Sequence, residues 1–325
     1  MASNEHDNEP ALRNGAGSVQ VHLLDGGSLS TADEMAMHEG AQSKVFRMYN
    51  WCFHVYHPGS GRHIMWDLGN SSDREDYTPW VQNVMFSMTK PVGPRCSLVD
   101  QLKDIGVDSS QIDTVVFSHA HWDHCRPIHK EFPQAKAFFG PGTRDFCSPG
   151  HIRDGKPDPE VQWDGRIFGD DATRTMDWGE LQGPWVEWAS FNRAMDFFGD
   201  GSFWVMQAPG HMPGNMCAAA KLQDGGEWVV LGSDCCHSSA LLLGKAQIAK
   251  FKLPNGSDSC LHSDLDAARD TISRLRGAQT EHGMHVALAH DKDWMQTGDD
   301  AVLMSLLSAS MKGEWLERVR SEKEP

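Results

Sequence analysis

A wholly apolar run, Thr114–Phe117 (TVVF), passes directly into Ser118-His119-Ala120-His121-Trp122-Asp123-His124. Such a run reads as a short strand buried on both faces, so the histidine-rich segment after it stands at the edge of a core. In extended chain, side chains two apart point the same way, and His119 and His121 can reach one point. Asp123 and His124 come where the chain must turn, and they face an adjacent point. Ligand-type side chains crowded at a core edge are costly unless a cation satisfies them. A solvated run of surface histidines does not fit that context.

The same punctuation recurs downstream. Phe203–Gln207 reads as a buried strand and leads into Ala208-Pro209-Gly210-His211-Met212-Pro213-Gly214, a rigid loop holding one histidine. Glu227–Leu231 ends at Gly232-Ser233-Asp234, and His285–Ala289 ends at His290-Asp291. A ligand at the C-terminal end of several strands is how α/β folds assemble a site. The second of two early strands, Phe46–Tyr56 and His63–Leu68, carries Asp67 at its tip beside Gly69. Ser18–Leu24 alternates at a period of two and reads as another strand, as does Ala137–Phe139. Ser97–Ile105, Ser263–Arg276 and Asp300–Val319 read as helices, the last with Leu303, Leu307, Met311 and Trp315 on one stripe. Residues 1–17 read as a disordered tail, and 18–325 as one α/β layered domain.

Composition narrows the partners. The chain of 325 residues has 29 Lys+Arg against 45 Asp+Glu, a net charge of −16, which disfavours nucleic acid and anionic membranes. No apolar stretch approaches the roughly 20 residues that a bilayer requires. The first residues lack the basic and apolar regions of an export signal, and the eight cysteines form no C-x-x-C pair. A cytoplasmic protein with reduced thiols is the expectation.

His119-x-His121-x-Asp123-His124, then His211 within Pro-Gly-His-x-Pro-Gly, then Asp234 and His290, resembles the metallo-β-lactamase superfamily. The likeness runs from Ser18 to about Asp300. It implies a four-layer αββα sandwich with two divalent metal ions, usually zinc, at one edge of the sheets. By the same resemblance His119, His121 and His211 would hold the first metal. Asp123, His124 and His290 would hold the second, Asp234 would bridge them, and Asp67 would orient a ligand histidine or simply cap its turn. The implied chemistry is hydrolysis by a metal-bridging hydroxide, with the metals polarising the substrate carbonyl.

Within the family, Asp123 sets the chain apart from the classical β-lactamases with a Cys ligand, and the His290-Asp291 pair, Trp122 and the Pro-Gly-His-x-Pro-Gly loop look most like the N-acyl-homoserine lactonase branch, quorum-quenching enzymes that open a cyclic ester. A lactone or related lactam is the expected small-molecule substrate, and a homodimer stays open as the assembly. One departure concerns the position three after the bridging aspartate, where such lactonases place a tyrosine. Here it is His237. Its imidazole could donate to an oxyanion or could be a packed histidine, and both readings stand. Asp123 and His237 are thus the candidate catalytic side chains. Cys235 and Cys236 read as buried thiols, and His129, His151, His262, His282 and His285 as surface or packed residues. Tyr77–Met88 and Trp178–Phe198 read as pocket walls or core, their status as insertions favouring a lid. The alternatives are a mononuclear iron dioxygenase for thiols or persulfides, a glyoxalase II-like thioesterase, and a metal- or ligand-sequestering protein.

Overall fold

Alternation along the strands decides the layering. The computed structural model describes residues 17–33, 36–41, 45–252 and 256–324. Apart from Gly17, the segment expected as a tail lies outside the described residues. The first sheet runs in order β1 (Gln20–Asp33), β2 (Val45–His57), β3 (Arg62–Trp66), β4 (Ile112–Val116), β5 (Lys136–Phe139) and β6 (Trp178–Glu180). The second sheet holds β7 (Val186–Trp188), β8 (Phe191–Asp196), β9 (Phe203–Gln207), β10 (Met216–Lys221), β11 (Trp228–Leu231) and β12 (His285–Ala287), each beside the next.

On β2, Tyr49, Trp51, Phe53 and Val55 point one way, into a cluster shared with Phe203 and Val205 of β9, Met216 and Ala218 of β10 and Leu231 of β11. That cluster lies between the sheets. Cys52 points the opposite way, to Leu98 and Leu102 of helix α1 (Leu98–Asp104). Trp204 and Met206 of β9 likewise face Ala268, Ile272 and Leu275 of helix α2 (Leu265–Thr280). Helix, sheet, sheet, helix is the resulting order, the αββα sandwich. Strands buried on both faces read as unbroken apolar runs, which is why β4, β9 and β11 are visible in the sequence.

Three expectations change. Ser18–Leu24 belongs to a longer strand, β1, whose register against β2 shifts between Asp25 and Ser28. The stretch Asp300–Val319 is not one helix but α3 (Ala301–Ser305), a turn at Ala309–Met311 and α4 (Glu314–Arg320), broken before Gly313 at φ 151°. Its apolar stripe is nonetheless buried, with Leu303, Leu307 and Met311 packed in the inter-sheet cluster. Trp178–Phe198 is sheet, not lid: Trp178 packs on Phe139 and Phe168, and Trp188 stacks on Trp204 at 4.8 Å.

The outer face of the first sheet carries a row of three histidines across β1, β2 and β3. His54 is buried and reaches His22 through Nδ1 at 3.4 Å and His63 through Nε2 at 3.0 Å. Burial, then the neighbouring His22 and His63, pushes its pKa down from 6.5 to about 3. The unfolded chain therefore takes up a proton below pH 6.5 that folded His54 refuses, and stability falls as pH drops from about 6.5 toward about 3. Between pH 6.5 and 5 this contributes up to about 2 kcal/mol of loss, at roughly 1.4 kcal/mol per unit. Urea midpoints of wild type and His54→Gln over that range check it; parallel curves would refute the assignment.

Candidate metal centre

The chemistry collects at one edge of the sandwich, beyond the ends of β3, β4, β9, β11 and β12. After β3 the chain turns sharply, with Asp67 at φ 58° and Gly69 at φ 63°. A Cβ on Gly69 would stand 2.4 Å from Gly26 Cα, so the turn needs glycine where it meets the bulge of β1. The turn aims Asp67 at β4. Its Oδ1 accepts from Ser118 N at 2.7 Å, and its Oδ2 accepts from Ser118 Oγ at 2.6 Å and His124 Nδ1 at 3.0 Å. Of the two readings of Asp67, these contacts are the ones that orienting a histidine requires. With Nδ1 donating, His124 turns Nε2 toward the site.

The other histidines are set in the same manner. His119 Nδ1 lies 3.0 Å from Ser118 Oγ, and His290 Nδ1 donates to the carbonyl of Tyr49 at 2.8 Å. Each therefore presents Nε2 inward. His119 Nε2 and His211 Nε2 stand 3.0 and 2.8 Å from His121 Nδ1. Three ring nitrogens thus converge on one point.

Asp234 comes after β11 in a tight turn, and its carboxylate stands between the two clusters. Oδ2 faces the first cluster, 3.4 Å from His211 Nε2 and 3.9 Å from His119 Nε2. Oδ1 faces His124 Nε2 at 3.4 Å and His290 Nε2 at 3.1 Å, and Oδ2 also lies 3.3 Å from His290 Nε2. Asp123 Oδ2 completes that second cluster, 3.7 Å from both of those nitrogens. All seven expected side chains come together, as one group of His119, His121, His211 and Asp234 and another of Asp123, His124 and His290.

Electrostatics separates the two groups. Burial holds His119 and His211 well below the usual imidazole range and lowers His121 as well, which keeps that group neutral. His124 is raised well above its ordinary value: Asp234 and Asp123 overcome burial. Asp234 is driven low against burial by His290 and His124. His124 Nε2 and Asp234 Oδ1 are buried without a hydrogen-bond partner, although they face each other. Neutral imidazoles with lone pairs inward, two carboxylates and orphaned atoms between them are the donor set that divalent cations take. The residues fit such ions.

His237 lies beside the first group, its Nε2 3.4 Å from Asp234 Oδ2 and its side chain buried. His262, expected to be a packed or surface residue apart from the site, is buried, yet its ring lies 5.0 Å from that of His237 and 5.6 Å from that of His211. Burial, then His237, pushes its pKa down to about 3. Cys235 and Cys236 are buried thiols, as expected.

Aromatic rings wall the approach. Trp163 stacks on His121 at 5.9 Å, while Tyr77 and Phe86 pack on Trp122 at 5.8 and 6.1 Å. Between Trp122 and Trp163 lies a small cavity of about 20 Å³, lined also by Tyr77, Val81, Ile167 and Phe168. Of the segment Tyr77–Met88, Tyr77, Thr78 and Val81 thus form a pocket wall.

Residues 48–126, which carry β2, β3, β4 and the His119–His124 motif, match the family model of the metallo-beta-lactamase superfamily. That segment of the chain is of the metallo-beta-lactamase superfamily. Among curated proteins it is similar to the metallo-hydrolase mfmC of Annulohypoxylon moriforme, 28% identical over 281 residues, covering 74% of this chain and 69% of that protein. It is 30% identical over 258 residues to the cytochrome P450 monooxygenase mpaDE' of Penicillium brevicompactum, but spans 29% of that protein's length. The N-acyl homoserine lactonase AttM of Rhizobium radiobacter is 26% identical over 291 residues, 85% of this chain and 94% of the lactonase. Among solved structures, an N-acyl homoserine lactone hydrolase with N-hexanoyl-L-homoserine at its catalytic metal center shares the metallo-beta-lactamase fold. Its TM-score is 0.61 at 14% identity, covering 86% of this chain and 96% of that one. Among the described residues, no helix is long and apolar enough to cross a membrane.

Proposed function

We propose that the chain is a dinuclear metallohydrolase that opens a lactone, such as an N-acyl-homoserine lactone, or a related lactam. The observation that carries this reading is Asp234, whose carboxylate stands between the two ligand groups, 3.4 Å from His211 Nε2 on one side and 3.1 Å from His290 Nε2 on the other. The names of mfmC and AttM support the hydrolase class and the cyclic-ester substrate.

His119, His121 and His211 would hold one ion and Asp123, His124 and His290 the other, with Asp234 between. When bound, two cations, zinc in this reading, supply a nucleophile at neutral pH and polarise a carbonyl. The chain's own residues do the rest. Ser118, Asp67 and the carbonyl of Tyr49 fix the tautomers of His119, His124 and His290, so that no ligand must reorient. Asp123 is buried beside His124 and His290, and its carboxylate would receive the proton released during attack. His237 would face the substrate oxygen with Nε2–H, in the place of the usual tyrosine. Tyr77, Trp122 and Trp163 exclude water and favour an apolar substituent on a neutral ring.

The test joins a substrate panel to metal analysis. Lactones are expected to be opened fastest, ahead of thioesters and phosphodiesters, with close to two metal ions per chain. Faster phosphodiester turnover would overturn the substrate class. A stoichiometry of one with full activity would overturn the dinuclear reading; one iron per chain with no hydrolysis across the panel would favour the mononuclear dioxygenase, whose two histidines and one carboxylate Asp123, His124 and His290 could also supply.

A further inference from the structure

Leu68 and Gly69, in the turn that carries Asp67, are buried outside the strands, so their carbonyls need donors from elsewhere. Both find the same one. Arg126 Nη1 donates to Leu68 O and to Gly69 O, the latter at 3.2 Å, while Nη2 donates to Glu131 Oε2 at 2.6 Å. Arg126 itself is buried. A cation taken out of water for two carbonyls and one partly exposed carboxylate is a costly way to close a turn. What the guanidinium adds is rigidity, a planar fork whose donors stand at fixed angles.

The position of the turn says what that rigidity serves. Leu68 N donates to His124 O at 3.0 Å, and Asp67 Oδ2 accepts from His124 Nδ1. Arg126 comes two residues after His124. Turn and motif are thus tied three times: through the backbone of His124, through its ring and through Arg126. Yet Arg126 belongs to neither ligand group. Beside it opens a cleft of about 230 Å³, lined also by Ser71, Lys130 and Glu131, with room for water to reach the turn if the fork were removed. Water would satisfy the two carbonyls without fixing them.

The geometry points to Arg126 as a positioning residue. It clamps the turn after β3 so that Asp67 meets His124 Nδ1, and thereby sets the affinity of the second metal position. That a metal is the guest rests on the proposed hydrolase reading; the clamp on the turn does not.

Arg126→Met keeps an unbranched side chain and removes the fork; Arg126→Gln guards against a poorly folding first variant. Glu131 is partly exposed and can be hydrated in both. Amide hydrogen exchange is measured on the metal-free proteins, and stepwise zinc affinities by competition with a chromophoric chelator. The reporting amides are Leu68 N, bonded to His124 O, and Ser118 N, bonded to Asp67 Oδ1. In each folded variant they are expected to exchange about tenfold faster, the scale of losing a hydrogen bond to a charged group, while amides of β9 keep their rates. One zinc constant is expected to weaken about 10- to 100-fold and the other to hold within about threefold. Exchange that is unchanged, or faster in β9 as well, makes Arg126 a residue of the fold at large and overturns the proposal. Locally faster exchange with both zinc constants unchanged, or both weakened alike, overturns it too. Wild type that binds no zinc sinks the hydrolase reading on its own, while the exchange comparison still decides whether Arg126 holds the turn.

Discussion

Asp234→Ala is expected to leave at most one metal ion per chain and to lower turnover by more than about 100-fold. Mutating groups that merely support ligands costs about 10- to 100-fold, and Asp234 is proposed as a ligand to both ions. Its Oδ2 is 3.4 Å from His211 Nε2 and its Oδ1 3.1 Å from His290 Nε2, so one truncation strips both groups of an anion. The remaining imidazoles would then face one another with a single carboxylate, Asp123, to offset two dications. Elemental analysis after chelation and reconstitution measures the first effect and lactone turnover the second. Two ions retained at full activity would refute the bridging role.

Asp67→Asn is expected to weaken metal binding by about 10- to 100-fold while leaving every proposed ligand in place. Asparagine tolerates the left-handed conformation at φ 58°, so the turn after β3 is not strained by the exchange. The carboxylate, however, accepts from three donors, Ser118 N, Ser118 Oγ and His124 Nδ1. An amide puts an NH₂ against at least one of them. His124 then loses the partner that fixes its tautomer, and its Nε2 no longer offers a lone pair reliably to the second position. Competition with a chromophoric chelator reads the affinity directly; an unchanged value would reduce Asp67 to a turn residue.

Why is so much of the site legible in the sequence, and why not His262? The seven proposed ligands each come at once after an apolar strand, and strands of one sheet end on one edge, so local punctuation locates them without any knowledge of packing. His262 comes after no such strand. It reaches the site because the segment before α2 is pinned to the His211 loop, Ser263 N donating to His211 O and Asp264 N to Gly210 O, both at 3.0 Å. A Cβ on Gly210 would come within 2.3 Å of Ala268 N, so this approach is built from backbone and leaves no side-chain pattern to read. The fold shows the same division. β4 and β9 are visible as apolar runs, whereas β6 and β7 are three residues each, too short to display a period. The break before Gly313 is hidden for the opposite reason: the apolar stripe continues across it because both α3 and α4 bury that side.

Each proposed metal position is also a seam. His119 and His121 extend from the first sheet and His211 and Asp234 from the second; Asp123 and His124 extend from the first and His290 from the second. Neither sheet owns a complete set. Ion occupancy and the docking of the two halves are therefore linked by mass action, each stabilising the other by the same free energy. A substitution deep between the sheets, such as at Phe203 or Met216, would be felt first as a looser grip on the ions, because a small slide of one half over the other spoils both positions together. The catalytic edge thus serves as a gauge of how well the sandwich is closed.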